Sequence, residues 1–133
     1  EAEVFPVTQA EGIGNVVFSS LAHGMVTGKY KPGQPAPGGS RAADADQNSV
    51  IKNLYWTEEN KRKGQELVKI AEKLGTSAAI LSIAWAMHHP AVTSVILGTR
   101  RVAQVEENLK AVDLELPAEV VEEMEALYPV PGE

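Results

Sequence analysis

Thr93-Ser94-Val95-Ile96-Leu97-Gly98-Thr99-Arg100-Arg101 is the stretch that decides the fold. The first five residues form a short β-branched and apolar run, the pattern of a strand. Gly98-Thr99-Arg100 turns tightly. From about Arg101 to Ala111 the spacing predicts a helix, with Val102, Val105, Leu109 and Val112 facing inward. Further back, Asn15-Val16-Val17-Phe18-Ser19 follows Gly12 and Gly14 and reads as a second short strand, buried on both faces. Two helices lie between the strands. Thr57 caps the first, which carries Leu67, Ile70, Ala71 and Leu74 at helical spacing and closes at Gly75. Thr76 caps the second, which runs through Ile80, Leu81, Ile83, Ala84, Trp85 and Met87. It stops before Pro90, because a residue preceding proline disfavours the helical region. Strands separated by helices pair in parallel and give an α/β fold. Two strands are too few for an independent sheet, so neighbours or a second copy are expected to complete it.

The remaining segments are less regular. Residues 2–11 read as a helix tail ending at Gly12, with Pro6 tolerable only in the first turn. From Leu21 to about Tyr55 no period persists, and Pro32, Gly33, Pro35, Pro37, Gly38 and Gly39 lie close together. A loop this long in a compact domain is usually functional or disordered. A last helix begins near Pro117 and ends at Tyr128-Pro129. There is no internal repeat.

Composition narrows the classes. The 133 residues suffice for one domain. Twelve Lys and Arg against eighteen Asp and Glu give a net charge of −6, which excludes the basic footprint of a nucleic-acid binder. With 44% hydrophobic residues a core can be buried. The absence of cysteine excludes disulfides and thiolate chemistry and agrees with a cytoplasmic location. No apolar run approaches the roughly 20 residues that would insert in a bilayer. The chain begins with Glu1, not Met, and is expected to be processed or a piece of something longer.

Chemistry concentrates after the two strands. The turn at Arg100 and Arg101 leads into a helix N-terminus, where free N–H groups and the dipole favour an anion. Arg100 adds a planar, permanently charged fork suited to phosphate. Gln104, Glu107 and Asn108 share one helix face. Such a face is either a solvated surface or a set of groups able to read an adenine edge or a ribose. After the first strand, Ser19 and Ser20 lie where a pyrophosphate is met in parallel α/β sheets. Phe18 is either a stacking ring or a core aromatic. His23 is either an acid–base group or an unengaged loop histidine, and Lys29 and Arg41 are either anion clamps or solvated charges. His88 and His89 point in different directions and make a poor metal pair; charge at a helix C-terminus explains them better. Glu119, Glu122, Glu123 and Glu125 read as an exposed face, and Trp56, Trp85 and Tyr128 as packing.

Phe18-Ser19-Ser20-Leu21-Ala22-His23-Gly24-Met25-Val26-Thr27-Gly28-Lys29-Tyr30 resembles the segment after strand seven of the aldo-keto reductases. Gly98-Thr99-Arg100-Arg101-Val102-Ala103-Gln104-Val105-Glu106-Glu107-Asn108 resembles the segment after their strand eight. Leu81-Ser82-Ile83-Ala84-Trp85 and His89-Pro90 match the linking helices, so the resemblance spans essentially the whole chain. The long Gly-Lys-Tyr loop is most similar to the branch that includes potassium-channel β-subunits and related bacterial reductases. Ser20 stands where the family has proline, and Phe18 where it has Tyr or Trp.

The resemblance implies the C-terminal portion of a (β/α)₈ barrel, strands seven and eight with their helices, with residues 1–133 forming one fragment of a single domain and 21–56 a loop covering the cofactor. It implies NADP, with Phe18 on the nicotinamide. Ser19, Ser20, Leu21, Ala22 and His23 would line the pyrophosphate, and Lys29 and Arg41 would close the loop. Gly98 and Arg100 would hold the 2′-phosphate region, and Gln104, Glu107 and Asn108 would surround the adenosine. The complete protein would reduce an aldehyde or ketone to an alcohol. The family's catalytic Asp, Tyr, Lys and His come from earlier strands, so this stretch alone is expected to be inactive and to need the N-terminal part of the barrel as its partner, or to self-associate. The alternatives are a non-catalytic nucleotide- or partner-binding subunit, or an inactive truncated fragment.

Overall fold

A computed structural model describes residues 1–129. The elements are α1 (Val4–Ala10), β1 (Asn15–Val17), a kinked 3₁₀ segment (Ala22–Thr27), α2 (Ser49–Leu54), α3 (Glu58–Lys73), α4 (Ala78–His88), β2 (Val92–Val95), α5 (Val102–Leu109), a 3₁₀ turn (Lys110–Asp113) and α6 (Ala118–Leu127). They form two compact units, Leu21–Ser82 and the rest, Glu1–Ser20 with the chain from Ile83 onward.

In the unit built from both chain ends, β1 and β2 pair in parallel, as strands separated by helices must. The register runs Asn15 to Val92, Val16 to Ser94 and Val17 to Val95, so Thr93 is an extra residue on β2. Gly14 makes room for it: a Cβ there would lie 2.7 Å from Thr93 Oγ1. Asn15 Nδ2 donates to Ala91 O (2.9 Å) and to Thr8 Oγ1 (2.7 Å), which ties α1, β1 and the approach to β2 together. Pro6 lies in the first turn of α1, where its missing N–H costs nothing. Pro117 is the N-cap of α6, which buries Val120 and Met124.

Two expectations fail in this unit. β1 is not buried on both faces; Val16 and Phe18, two residues apart and so on one face, are exposed, because nothing among the described residues covers that face. On α5 the stripe of Val102, Val105, Leu109 and Val112 is exposed, with Val102 at 75%. The side that turns in carries Asn108 and Ala111 instead. The spacing identifies an apolar face correctly and cannot say whether anything covers it.

The Leu21–Ser82 unit corrects a third expectation. The segment from Leu21 to Tyr55 is not structureless: it contains α2 and builds its own core from Met25, Tyr30, Ala42 and Ile51, with Ala22, Ala36, Tyr55 and Trp56 packed against it. Thr57 caps α3 as expected, its Oγ1 accepting from Asn60 N–H (3.0 Å). α4 is capped by Ser77, whose Oγ accepts from Ile80 N–H (3.3 Å), one residue after the expected Thr76. α3 buries Lys61, Gly64, Leu67, Ile70 and Ala71, and its Gly64 stands against the kinked 3₁₀ segment. A Cβ on Gly64 would lie 2.7 Å from Met25 O. Gly28, at φ +77, faces Val68 in the same way from the loop side.

Gly64→Ala sets two effects against each other. Alanine favours the helix by about 1 kcal/mol, but its methyl collides with a backbone carbonyl that cannot swing away, an overpacking cost of about 2–3 kcal/mol. The clash wins: urea unfolding should place the variant about 1–2 kcal/mol below the parent. An unchanged or raised midpoint would mean that α3 and the loop are not in contact there.

Candidate functional site

The residues singled out in the sequence fall into two sets, one in each unit. In the unit with the sheet, β1 and β2 are parallel neighbours, so the segments that follow them leave the same edge. One supplies Phe18, Ser19 and Ser20, the other Gly98, Arg100, Gln104, Glu107 and Asn108. Phe18 is 76% exposed and so is not the core aromatic it could have been. Ser19 takes a left-handed backbone at φ 60, and the buried Ser20 hydroxyl has no hydrogen-bond partner.

At the start of α5, Gln104 Oε1 accepts from the N–H groups of Arg100 (2.9 Å) and Arg101 (3.1 Å). Two of the donors expected to await an anion are therefore taken by the helix itself. With both lone pairs of that oxygen used, Gln104 can meet a ligand only through its amide nitrogen. Gln104 is half-buried, Glu107 exposed and Asn108 buried, so these three residues of α5 do not form one solvated face; Arg100, ahead of the helix, is exposed.

In the other unit the backbone itself is unusual. Ala22 (φ 43), His23 (φ 57) and Gly24 (φ 94) are consecutive left-handed residues. The two that are not glycine each cost on the order of 1–3 kcal/mol, the kind of strain that collects at functional sites. The kink is held by Gly24 N–H donating to Leu21 O (2.7 Å) and by Thr27 Oγ1 donating to Gly24 O (2.8 Å). Lys29 folds back onto it: a Cβ on Gly24 would lie 2.5 Å from Lys29 Nζ. The ammonium also stands 5.1 Å from the Tyr30 ring centroid. Arg41 Nη1 donates to His23 Nδ1 at 2.7 Å, and the His23 ring lies 5.8 Å from that of Tyr55. Partial burial, and then the Arg41 charge, push the His23 pKa below its ordinary value. Neutral His23 thus accepts at Nδ1 and carries its proton on Nε2. Lys29 at Gly24 and Arg41 at His23 thus both reach the kinked segment, and neither has a carboxylate in ion-pair range among the described residues.

Sequence reasoning missed the groups that hold the loop around Lys29 and Arg41. The Tyr30 hydroxyl accepts from Ala42 N–H (3.3 Å), next to Arg41. Gln65 Nε2 donates to Gly28 O (2.6 Å) and Tyr30 O (3.2 Å), on either side of Lys29. Glu58 accepts from Gly33 N–H (2.7 Å) and from Lys61 Nζ (2.8 Å), which lower its pKa, the lysine bond first. Lys61 is only 3% exposed and lies 4.2 Å from the Trp56 ring centroid. Ser40, beside Arg41, has a buried hydroxyl without a partner. His89 is a packing residue, against Phe5 at 4.7 Å and accepting from Ala91 N–H (3.1 Å). Trp56 and Trp85 pack as expected, on Tyr30 at 5.0 Å and Tyr128 at 6.5 Å. Burial pushes the Tyr128 hydroxyl up to about 12. Among the described residues no group of His, Asp or Glu could hold a metal ion, and no helix is long and apolar enough to cross a membrane.

The sequence profile of the Aldo/keto reductase family matches residues 1–129. The chain belongs to this family. A probable voltage-gated potassium channel subunit beta from Arabidopsis thaliana is 40% identical over 114 residues, 86% of this chain and 34% of the relative. Another such subunit, from Oryza sativa subsp. japonica, is 39% identical over 129 residues, 96% of this chain and 39% of the relative. An L-glyceraldehyde 3-phosphate reductase from Escherichia coli is 31% identical over 105 residues, 79% of this chain and 30% of the relative. The chain therefore spans about a third of the length of these relatives. The branch inferred from the Gly-Lys-Tyr loop is the one these subunits represent.

The histidine gives a pH test. Its pKa is lower folded than unfolded, so below the ordinary 6.5 the unfolded chain binds more protons. The contribution of neutral His23 is complete above pH 6.5 and shrinks as the pH falls from there through the folded value. Replacing Arg41 with Met removes the second cause and leaves the first. An NMR titration of His23 should show its pKa rising part of the way back, with a shallower fall of unfolding free energy between pH 7 and 5. An unmoved pKa would mean that the Arg41 contact is absent in solution.

Proposed function

We propose that this chain is the nucleotide-binding C-terminal portion of an NADP(H)-dependent aldo-keto reductase, contributing strands seven and eight of its (β/α)₈ barrel. The observation that carries the reading is the common edge from which the two strand-following segments leave β1 and β2. In barrels of this class, phosphate is held by the loops after the last two strands. The residues fit a phosphate-bearing nucleotide. The hydroxyls of Ser20 and Ser40 are buried without a hydrogen-bond partner, and neither Lys29 nor Arg41 has a carboxylate in ion-pair range among the described residues. Phe18 offers an open aromatic face.

On this reading Phe18 stacks on the nicotinamide, and Ser19, Ser20, Leu21, Ala22 and His23 line the pyrophosphate side. Lys29 and Arg41, within the 21–56 loop, cover the cofactor. Gly98 and Arg100 serve the 2′-phosphate, and Gln104, Glu107 and Asn108 the adenosine. When bound, the cofactor supplies a hydride for an aldehyde or ketone substrate; the protein's part is orientation and charge. The proton donor belongs to the rest of the barrel, so the stretch alone has no turnover, and the work is expected in the cytoplasm. A second reading, a nucleotide-binding subunit without turnover, is favoured by the channel-subunit relatives. Titrating the complete barrel with NADPH and then offering it aldehydes separates the two: binding with turnover supports the first, binding without turnover the second. No binding at all overturns both.

Arg100→Ala should weaken NADPH by about 2 kcal/mol, roughly 30-fold, because a charge-assisted contact to phosphate is lost. NADH, which lacks the 2′-phosphate, should be little affected. Fluorescence titration of both nucleotides reads the difference; equal losses would remove the 2′-phosphate assignment.

A further inference from the structure

Lys29 is held in place before any ligand arrives, and the hold comes from a residue far away in the chain. Gln65, near the middle of α3, uses one nitrogen to donate to two carbonyls, Gly28 O at 2.6 Å and Tyr30 O at 3.2 Å. Those carbonyls belong to the residues immediately before and after Lys29. Gly28 sits at φ +77, in the left-handed region, so the chain reverses direction there and the path of Lys29 depends on what fixes that turn. Gln65 can reach because the glycine at 64 lets α3 approach Met25 O. At its other end, the Lys29 ammonium occupies the space that a side chain at Gly24 would need. The lysine is thus anchored at its backbone by Gln65 and given room at its tip by Gly24. Long flexible lysines lose rotamer freedom on binding; one already held loses less.

We propose that Gln65 is a positioning residue for cofactor binding, acting through Lys29. The inference rests on the reading of Lys29 as a cofactor-contacting cation. Gln65 itself touches no ligand. Its amide keeps the lysine in the binding-competent arrangement, so a change at Gln65 matters only while the ammonium is there to be positioned.

The test is a double-mutant cycle in the complete barrel, read as the NADPH dissociation constant by fluorescence titration. Gln65→Leu keeps the bulk and loses the donor; Lys29→Met keeps the chain and loses the charge. Each alone should weaken NADPH by about tenfold. In the Lys29→Met background, Gln65→Leu should change affinity less than about twofold. Additive losses would overturn the proposal, since a general loosening of the loop also acts through Arg41. So would a Gln65→Leu barrel that binds as the parent does. If Lys29→Met leaves affinity unchanged, or the complete barrel binds no NADPH, the cofactor reading itself falls and takes this inference with it. A cooperative thermal melt establishes that each variant is folded. Gln65→Asn, which keeps the amide and shortens its reach, enters the same cycle if Gln65→Leu does not fold.

Discussion

The close approach of α3 to the kinked loop at Gly64 and Gly28 is the constraint on which the Leu21–Ser82 unit depends. A helix and a reversing loop can approach this closely only where a glycine leaves out the side chain at the point of contact. Gly64 meets the Met25 carbonyl, and Gly28 turns against Val68. Once that contact is made, other groups of α3 come within reach of the loop: Gln65 finds Gly28 and Tyr30, and Glu58 finds Gly33. Tyr30, held in turn, accepts from Ala42 N–H and so ties the returning limb of the loop beside Arg41. A stretch with little regular structure of its own thus has several of its backbone polar groups answered from outside it or across it.

Much of the fold was legible because it is local. The Thr57 cap, the glycine at 75 and the stop before Pro90 each act over four residues or fewer, and the parallel pairing follows from the helices between the strands. What escaped was non-local or one-sided. The core of Met25, Tyr30, Ala42 and Ile51 has no period, since its members come from separate turns. Gln65 looks like any surface glutamine until the chain brings Gly28 beside it. The shift of the α4 cap from Thr76 to Ser77 follows the stronger capping of serine where the two residues stand side by side. For the candidate site, the basic residues and serines were readable as types, while the His23–Arg41 bond and the capping use of Gln104 were not. Both depend on geometry that composition does not encode.

The exposed apolar residues carry a different lesson. Val102, Val105, Leu109 and Val112 keep helical spacing, and Val16 with Phe18 keeps strand spacing, yet all are open. Patterning records which face a segment is built to bury, whereas exposure records what lies next to it. In a chain that spans about a third of its relatives' length, the two records part company on the α5 and β1 faces. They agree in α3 and α6, whose neighbours lie within the chain.

The two tryptophans are divided between the units, Trp56 in one and Trp85 in the other. Trp56 packs against both the Lys61 ammonium and the Tyr30 ring, inside the network that fastens the loop; Trp85 stands against Tyr128. The molecule therefore carries a built-in optical label on each half. Replacing either ring with phenylalanine leaves emission from the other alone, and the loop and the sheet can then be watched separately by light.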